Sequence, residues 1–197
     1  AVLNCHAQAS NLEAILSRLS EYLLAEFVTR NGYAKTIFPH ATNTIRLLTM
    51  VDFDTEEPFP ATAVHRFGAK RSKPVDNWFS GGLSVNIDRN GVAQRCRPAA
   101  KIRIIRSIIY HPDTGSSFEW ERIPNWEEVL GEVVDLGSAG GWMWPYVGWA
   151  IAITDQYGSF TIIEGNGYTD VDLLQTHEPF LMDSHVRRFF RHHGIIS

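Results

Sequence analysis

The chain has 197 residues, of which 44% are hydrophobic and 20% are charged, so it is long enough to bury one sizeable core and we expect a single domain over residues 1–197. Its formal net charge of -4 contains no long run of one sign, which gives little support to nucleic acid or a membrane surface as a partner. Cys5 and Cys96 are too few and too far apart for the disulfide framework of a secreted domain. No secretory leader and no span of roughly 18 apolar residues is present, so we expect a cytoplasmic protein with small molecules or proteins as partners.

The first third of the chain predicts one helix and three strands. Leucine and isoleucine at helical spacing predict an amphipathic helix over residues 11–21, followed by a short strand over 22–28. β-Branched and apolar residues predict strands over 44–51 and 61–67. The acidic, proline-bearing stretch 52–60 is typical of the loop between them, so these two strands are expected to pair antiparallel.

The middle of the chain predicts two further strands, each ended by a turn. Ser80, Gly81 and Gly82 lead into a strand over residues 83–88, which ends at an Arg-Asn-Gly turn. Alternating apolar and polar residues predict a strand over 102–110, and the sequence His-Pro-Asp-Thr-Gly then predicts a turn over 111–115.

The last third predicts two helices around a hairpin. A helix is expected over residues 124–136, ended by the glycine-rich link 137–141. Strands over 148–154 and 159–164 form the hairpin, and a basic helix follows over 183–192, whose arginines and histidines are expected to be solvated rather than to bind a metal or an anion. The fold class predicted from this order is α+β, mainly an antiparallel sheet with helices on one side.

The hairpin carries the residues that are the most informative about chemistry. Side chains alternate across a strand, so Glu164 and Asn166 project from one face and can offer two oxygens to one cation. The same alternation groups Phe160 and Ile162 with Glu164, and places Ala150 on the partner strand among small residues. One interpretation is a magnesium site that bridges nucleotide phosphates. The other is a glutamate and an asparagine that cap the end of a strand.

Five motifs in order connect the chain to a known family. They are YLLAEFV at residues 22–28, PHATNTIRLLT at 39–49, VDNWFSGG at 75–82, VGWAIAIT at 147–154 and IIEGNGYTDVDLLQ at 162–175. Together they resemble the ATP-grasp enzymes, and among these the sugar-transfer-associated ATP-grasp branch, related to glutamate-ligase-like proteins. The likeness runs in register over about residues 20–190. It implies the fold of the C-terminal ATP-grasp domain, with ATP and Mg²⁺ as cofactors.

The resemblance implies an adenine-binding strand near the start of the chain. In the family, a short strand links the two lobes of the nucleotide site and its backbone meets the adenine edge, which the N–H and C=O groups of a backbone suit well. This strand corresponds here to Ala25, Glu26, Phe27 and Val28, with Glu26 as a polar contact. The alternative for Glu26 is a surface carboxylate at a strand end.

Two further motifs match residues near the phosphates. Arg46 matches the arginine on a central strand of the family, and a guanidinium among apolar neighbours requires a phosphate or carboxylate partner, or else a structural ion pair. Asn77 with Gly81 and Gly82 resembles the asparagine and Gly-Gly loop close to the phosphates and the acceptor substrate. Glycines let backbone N–H groups approach an anion, although a Gly-Gly pair is also typical of a plain turn.

Two departures from the family pattern change what is expected. Ala150 stands where the family has an aspartate that binds the metal, so magnesium binding through Glu164 and Asn166 should be weakened, unless Asp170 or Asp172 compensates. The lysine and glycine-rich loop of the N-terminal ATP-binding lobe have no counterpart before Ala25, so that lobe is expected to be missing from this chain.

The function implied by the resemblance is an ATP-dependent carboxylate-amine ligase that forms an acyl phosphate. Its partners would be a small-molecule carboxylate and an amine, with a link to cell-surface sugar biosynthesis that rests on the family alone. The alternative is a non-catalytic nucleotide-binding or structural module with a degenerate metal site.

Overall fold

A computed structural model describes residues 32–98, 107–119, 122–140 and 143–197, together with Ser17 and Val28. The helix predicted over 11–21 and the strand predicted over 22–28 lie outside this part of the chain, apart from those two single positions. Most of the strand predicted over 102–110 also lies outside it. Within 107–110 the structure has isolated bridges at Ile108 and Tyr110.

Six strands form one antiparallel sheet, in the order β4-β3-β2-β1-β5-β6. The strands are β1 (Ile45–Val51), β2 (Pro58–Phe67), β3 (Leu83–Ile87), β4 (Ala93–Pro98), β5 (Tyr146–Ile153) and β6 (Phe160–Gly167). The α-helices are α1 (Tyr33–Ile37), α2 (Trp126–Gly140) and α3 (Ser184–His192), and short 3-10 helices span Trp78–Ser80, Leu174–Thr176 and Phe180–Met182. The predicted α+β class with a mainly antiparallel sheet is confirmed.

One face of the sheet, which we call the α2 face, is mainly apolar from β6 to β4. Side chains of β1 and β5 such as Ile45 and Ile151 pack against Val129 and Val133 of α2. Towards β4, Phe67 and its neighbours pack against α1. Every residue of β1 and β5 is buried, which requires that the opposite face is covered too.

The opposite face is covered over β1 and β2 by the C-terminal segment. Leu48 and Val64 pack there against Val186 and Phe189 of α3. The prediction that helices lie on one side of the sheet was therefore wrong, because α2 and α3 pack on opposite faces. The cause is in β1 itself, whose apolar side chains alternate to both faces.

The element bounds differ from the predicted ones in two informative places. β2 begins at Pro58, so the loop predicted over 52–60 is shorter. The glycine-rich link does not end α2, which continues to Gly140. Gly137 lies against Pro58, where an added Cβ would approach the proline Cβ to 3.3 Å. The polar strand β4 and the short helix α1 had not been predicted.

The basic C-terminal helix had been predicted to be solvated, but two of its basic side chains contact a neighbouring loop. Arg188 of α3 pairs with Asp52 at 2.5 Å and with Asp54 at 3.4 Å, both in the loop between β1 and β2. His192 stacks on Phe53 of the same loop, with ring centroids 4.1 Å apart. These contacts fix the acidic loop onto α3. In the described part of the chain, no helix combines the length and the apolar character that crossing a membrane requires.

Candidate functional site

The face opposite α2 carries a band of polar residues where α3 does not cover it, and we call this band the site face. Arg97 of β4 pairs in register with Ser84 of β3, and Ser84 pairs with Arg66 of β2. In β1, Arg46 pairs with Ala150 of β5, which pairs with Glu164 of β6. Antiparallel partners in register point to the same face, so these side chains share one surface.

Arg46 is the central cation of the site face. Its side chain is buried and crosses β5, so that Nη1 donates to the Gly148 carbonyl at 2.9 Å and Nη2 donates to Glu164 Oε1 at 3.3 Å. Ala150 lies in register directly between Arg46 and Glu164. Its methyl group leaves room for the arginine to reach β6. Burial lowers the pKa of the Arg46 guanidinium, and the nearby charge of Arg66 lowers it further.

A β-bulge in β6 turns Glu164 towards Arg46. Ala150 pairs with Glu164 while Ile151 pairs with Ile162, so Ile163 is one extra residue in the ladder. Ile162 packs with the core on the α2 face, whereas Glu164 contacts Arg46 on the opposite face. The predicted grouping of Phe160 and Ile162 with Glu164 was therefore wrong.

Glu164 and Asn166 lie together, as alternation along the end of β6 had predicted. The Asn166 amide donates to Glu164 Oε1 at 2.9 Å, and the same oxygen accepts from Arg46. The Glu164 side chain is 52% exposed. Its second carboxylate oxygen and the Asn166 amide oxygen are thus the groups placed to meet a ligand.

A second ion pair lies beside Arg46 and is buried. The Asp76 carboxylate accepts from the Thr44 backbone N–H at 2.6 Å and from its hydroxyl at 2.7 Å, and lies 3.5 Å from Arg66. Arg66 Nε donates to the Thr44 hydroxyl at 3.0 Å. Asp76 was missed, although it directly precedes Asn77 in the VDNWFSGG motif.

Asn77, Gly81 and Gly82 form the turn that follows Asp76. The Asn77 side chain caps the 3-10 helix by accepting from Phe79 N at 3.0 Å, and Gly81 has a φ of 105°, which favours glycine. The Gly82 N–H donates to the Asn77 carbonyl at 3.1 Å, and an added Cβ there would lie 2.7 Å from the Asp76 carbonyl oxygen. This turn therefore holds Asp76 in place. A role of these residues at the phosphates stays a prediction.

The adenine-binding strand stays a prediction as well. Ala25, Glu26 and Phe27 lie outside the described residues, and Val28 is described only as half-buried. Asp170 and Asp172, which had been considered as compensating carboxylates, lie in a turn where the Asp170 side chain accepts from the Asp172 backbone at 2.8 Å.

The donor set suits a weakly held Mg²⁺ rather than a closed metal cage. Among the described residues, no group of three or more histidine, cysteine, aspartate or glutamate side chains is placed to hold a metal ion. Glu164 supplies one carboxylate and Asn166 one neutral oxygen. Mg²⁺ in nucleotide sites commonly takes one or two carboxylates and completes its coordination with phosphate and water, so these residues fit it.

Comparison with known proteins gives one positive result. A model of the family described as sugar-transfer associated ATP-grasp matches residues 5–182. Searches of curated proteins and of solved structures each found no match. The family match spans most of the chain, including every strand of the sheet and the polar residues of the site face. The chain therefore belongs to the sugar-transfer associated ATP-grasp family, a nucleotide-binding family.

Proposed function

We propose that the site face binds Mg²⁺-ATP and uses it for an ATP-dependent ligation through an acyl phosphate. The observation that carries this proposal is the cluster of Arg46, Glu164 and Asn166, in which a buried guanidinium meets a half-exposed carboxylate. A buried arginine held by a carbonyl and a carboxylate is already positioned for phosphate oxygens, which match its planar donor fork.

Each residue of the cluster has a distinct role. Arg46 donates to phosphate oxygens and stabilises the charge that develops as the γ-phosphoryl group moves. Glu164 and Asn166 hold Mg²⁺, which when bound neutralises phosphate charge. Asp76 and Thr44 hold Arg66 beside Arg46, so that a second positive charge faces the same ligand.

The reaction balances in two steps. An oxygen of the substrate carboxylate attacks the γ-phosphorus, the bond from that phosphorus to the bridging oxygen breaks, and ADP leaves. The nitrogen of an amine then attacks the acyl carbon, phosphate leaves with the electrons of the broken C–O bond, and the amine loses a proton to water. The substrates proposed are a small carboxylate and an amine in the cytoplasm. The link to cell-surface sugar pathways rests on the family description.

One observation favours a second candidate, a nucleotide-binding module without ligase activity. Ala150 occupies the position between Arg46 and Glu164, so one carboxylate, rather than two, faces the ligand in this part of the sheet. A single carboxylate with a neutral amide holds Mg²⁺ less tightly than a carboxylate pair.

Calorimetric titration of Mg²⁺-ATP tests nucleotide binding. We expect saturable binding by the native chain and an affinity lower by about tenfold or more in Arg46→Met, because a hydrogen bond to a charged group contributes roughly 1.5–3 kcal/mol. Arg122→Met is the matched control, since Arg122 is an arginine at the surface that pairs with Glu127. No detectable heat at millimolar nucleotide contradicts the proposal.

Hydroxylamine separates the ligase from the binding module. With Mg²⁺-ATP and a panel of carboxylic acids, an acyl phosphate is trapped as a hydroxamate, and we expect its formation to be lost in Arg46→Met and Glu164→Gln. Nucleotide binding without hydroxamate from any acid favours the module.

A further inference from the structure

A cavity of about 1140 Å³ lies beside the first half of β2, which extends beyond the end of β3 and has no neighbouring strand on that side. β3 pairs with residues 63–67 of β2, so residues 58–62 have β1 on one side and the cavity on the other. Trp126 and Leu130 of α2 form one wall, and the segment that leads into α3 forms the opposite wall. The volume is slightly above the roughly 300–1,000 Å³ of typical small-molecule pockets, and the wall combines apolar side chains with charged and polar ones.

The strand that borders the cavity is unsuited to pairing with another strand. The Val51 N–H donates to the Pro145 carbonyl, on the side of β5. Because the backbone N–H and C=O groups of successive residues point to opposite sides of a strand, those of Met50 point towards β2, where Met50 pairs with Phe59. Pro58 and Pro60 flank Phe59 and therefore face the open edge, where they have no N–H to donate. An added peptide strand would find no donor at these two positions, so the cavity favours a small molecule over a peptide.

Arg97 brings a positive charge to the wall of this cavity. Its side chain is half-buried, Nη1 donates to the Thr176 carbonyl at 2.8 Å, and the buried Nε has no hydrogen-bond partner. Among the described residues, Arg97 forms no ion pair with a carboxylate. Because Nε is buried, a carboxylate or phosphate in the cavity would meet the exposed part of the guanidinium, whose planar donors suit these groups.

His177 supplies a second incompletely bonded nitrogen beside Arg97. Its Nε2 is 2.8 Å from the Ser84 hydroxyl, while its Nδ1 is buried and has no partner. Burial lowers the pKa of His177 to about 4, with the Arg97 charge as a further cause, so the ring is neutral at pH 7. Ser84 and Arg97 are register partners, which fixes all three side chains next to one another.

The acidic groups of the wall are mostly engaged elsewhere. Asp88 accepts from the backbone of the following turn and from the Gln94 amide. Asp183 caps α3 and pairs with Arg89 at 3.1 Å. Glu178 is exposed at the rim. None of the three forms an ion pair with Arg97, so its charge is left for a ligand.

We propose that this cavity binds a small organic anion, a carboxylate or phosphate on an apolar body, with Arg97 as the charged contact and Trp126, Leu130 and Phe59 around the body. The proposed anion site lies beside the Mg²⁺-ATP site on the same face, because Arg97 is two strands from Arg66, about 10 Å away. Glu164 and Asn166, in contrast, lie on β6 at the far end of the sheet. β4 and β6 lie at opposite ends of the sheet order, which at the usual strand spacing puts them about 24 Å apart.

Four probes test the proposal by calorimetry and by amide chemical shifts. Benzoate and phenyl phosphate carry the two anionic groups on one apolar ring, benzamide is the neutral match of benzoate, and inorganic phosphate lacks the ring. We expect at least one of the two ring-bearing anions to saturate the cavity, and benzamide and inorganic phosphate to bind at least tenfold more weakly. Which ring-bearing anion binds better identifies the ligand as a carboxylate or a phosphate ester.

Variants locate the binding. Arg97→Met is expected to weaken the preferred anion at least tenfold, whereas Arg95→Met, at the exposed rim, changes it less than threefold. Arg46→Met is expected to leave benzoate binding unchanged while it weakens nucleotide binding, so the proposals for the two sites can be tested separately. If Arg97→Met does not fold, Ala61→Phe adds a ring to the cavity wall and should weaken the anion at least tenfold. Equal binding of benzamide, absence of saturation by either anion, or unchanged affinity in these variants overturns the proposal.

Discussion

The two faces of the sheet differ in what their side chains do. The α2 face is mainly apolar and lies under α1 and α2, while the opposite face is apolar under α3 and carries charged side chains between Arg97 and Glu164. Burial of apolar surface is the main source of stability, so one complete face can hold the sheet together. The second face can carry buried arginines and their partners because the first face stabilises the fold.

The largest effect expected from this comparison is a loss of stability on the α2 face. Ile151→Ala removes a fully buried side chain and should lower the free energy of unfolding by about 2–5 kcal/mol. Urea unfolding followed by circular dichroism measures it. At temperatures where the variant is folded, its affinity for Mg²⁺-ATP should match that of the native chain. A selective loss of binding would show that the two faces are not separable.

Lowering the pH should reduce the free energy of unfolding by a smaller amount, through one buried histidine on each face. Burial lowers the pKa of His65, on the α2 face, to about 3 and that of His177, on the site face, to about 4. Because unfolded histidine has a pKa near 6.5, the unfolded chain binds more protons below that pH, so stability is complete above about pH 6.5 and falls as the pH is lowered towards 3–4. From pH 7.5 to 5.5, each histidine should cost about 1 kcal/mol, measured by urea unfolding at each pH.

His177→Gln separates the contributions of the two histidines to the pH dependence of the free energy of unfolding. An amide can still bond the Ser84 hydroxyl but does not titrate, so the share of His177 should disappear while the share of His65 remains. An unchanged pH dependence would mean that His177 is not held neutral on the site face.

The smallest effect expected is a higher affinity for Mg²⁺-ATP on the site face. Ala150→Asp places a second carboxylate between Arg46 and Glu164, and we expect the affinity for Mg²⁺-ATP to rise several-fold, measured by calorimetry at fixed free Mg²⁺. Ala152→Asp, two residues along the same face of β5, is the matched control. If Ala150→Asp folds normally and gains nothing, the metal is not held where we propose.

The sequence predicted the strands whose side chains form the core. It missed β4, which forms a strand because it pairs with β3 and not because of its own residue pattern. β1 and β5 were predicted because nearly every residue is apolar or β-branched. β4 was missed because Gln94, Arg95 and Arg97 give no strand pattern at the edge of a sheet. Local patterns also contain no information on which face α3 covers, since that depends on packing between residues far apart in the chain.

The candidate site was predicted in part for a similar reason. Arg46 stood out as a charge among apolar neighbours, and its need for a partner followed from burial alone. That Glu164 is this partner depends on the bulge at Ile163, which alternation cannot reveal. The cavity at Arg97 depends on where β3 ends relative to β2, so no single segment of sequence predicts it.

The bulge at Ile163 lets β6 contain one extra residue while Glu164 stays opposite Ala150. Deleting Ile163 would keep every polar residue of the chain and would make Ile162 and Glu164 consecutive, opposite the consecutive residues Ile151 and Ala150. Glu164 would then still pair with Ala150 and face Arg46 in a regular ladder, so the bulge accommodates one extra residue without moving the carboxylate to the other face. When relatives of this chain are aligned, a gap shifted by one position here would assign the ligand role to the wrong residue.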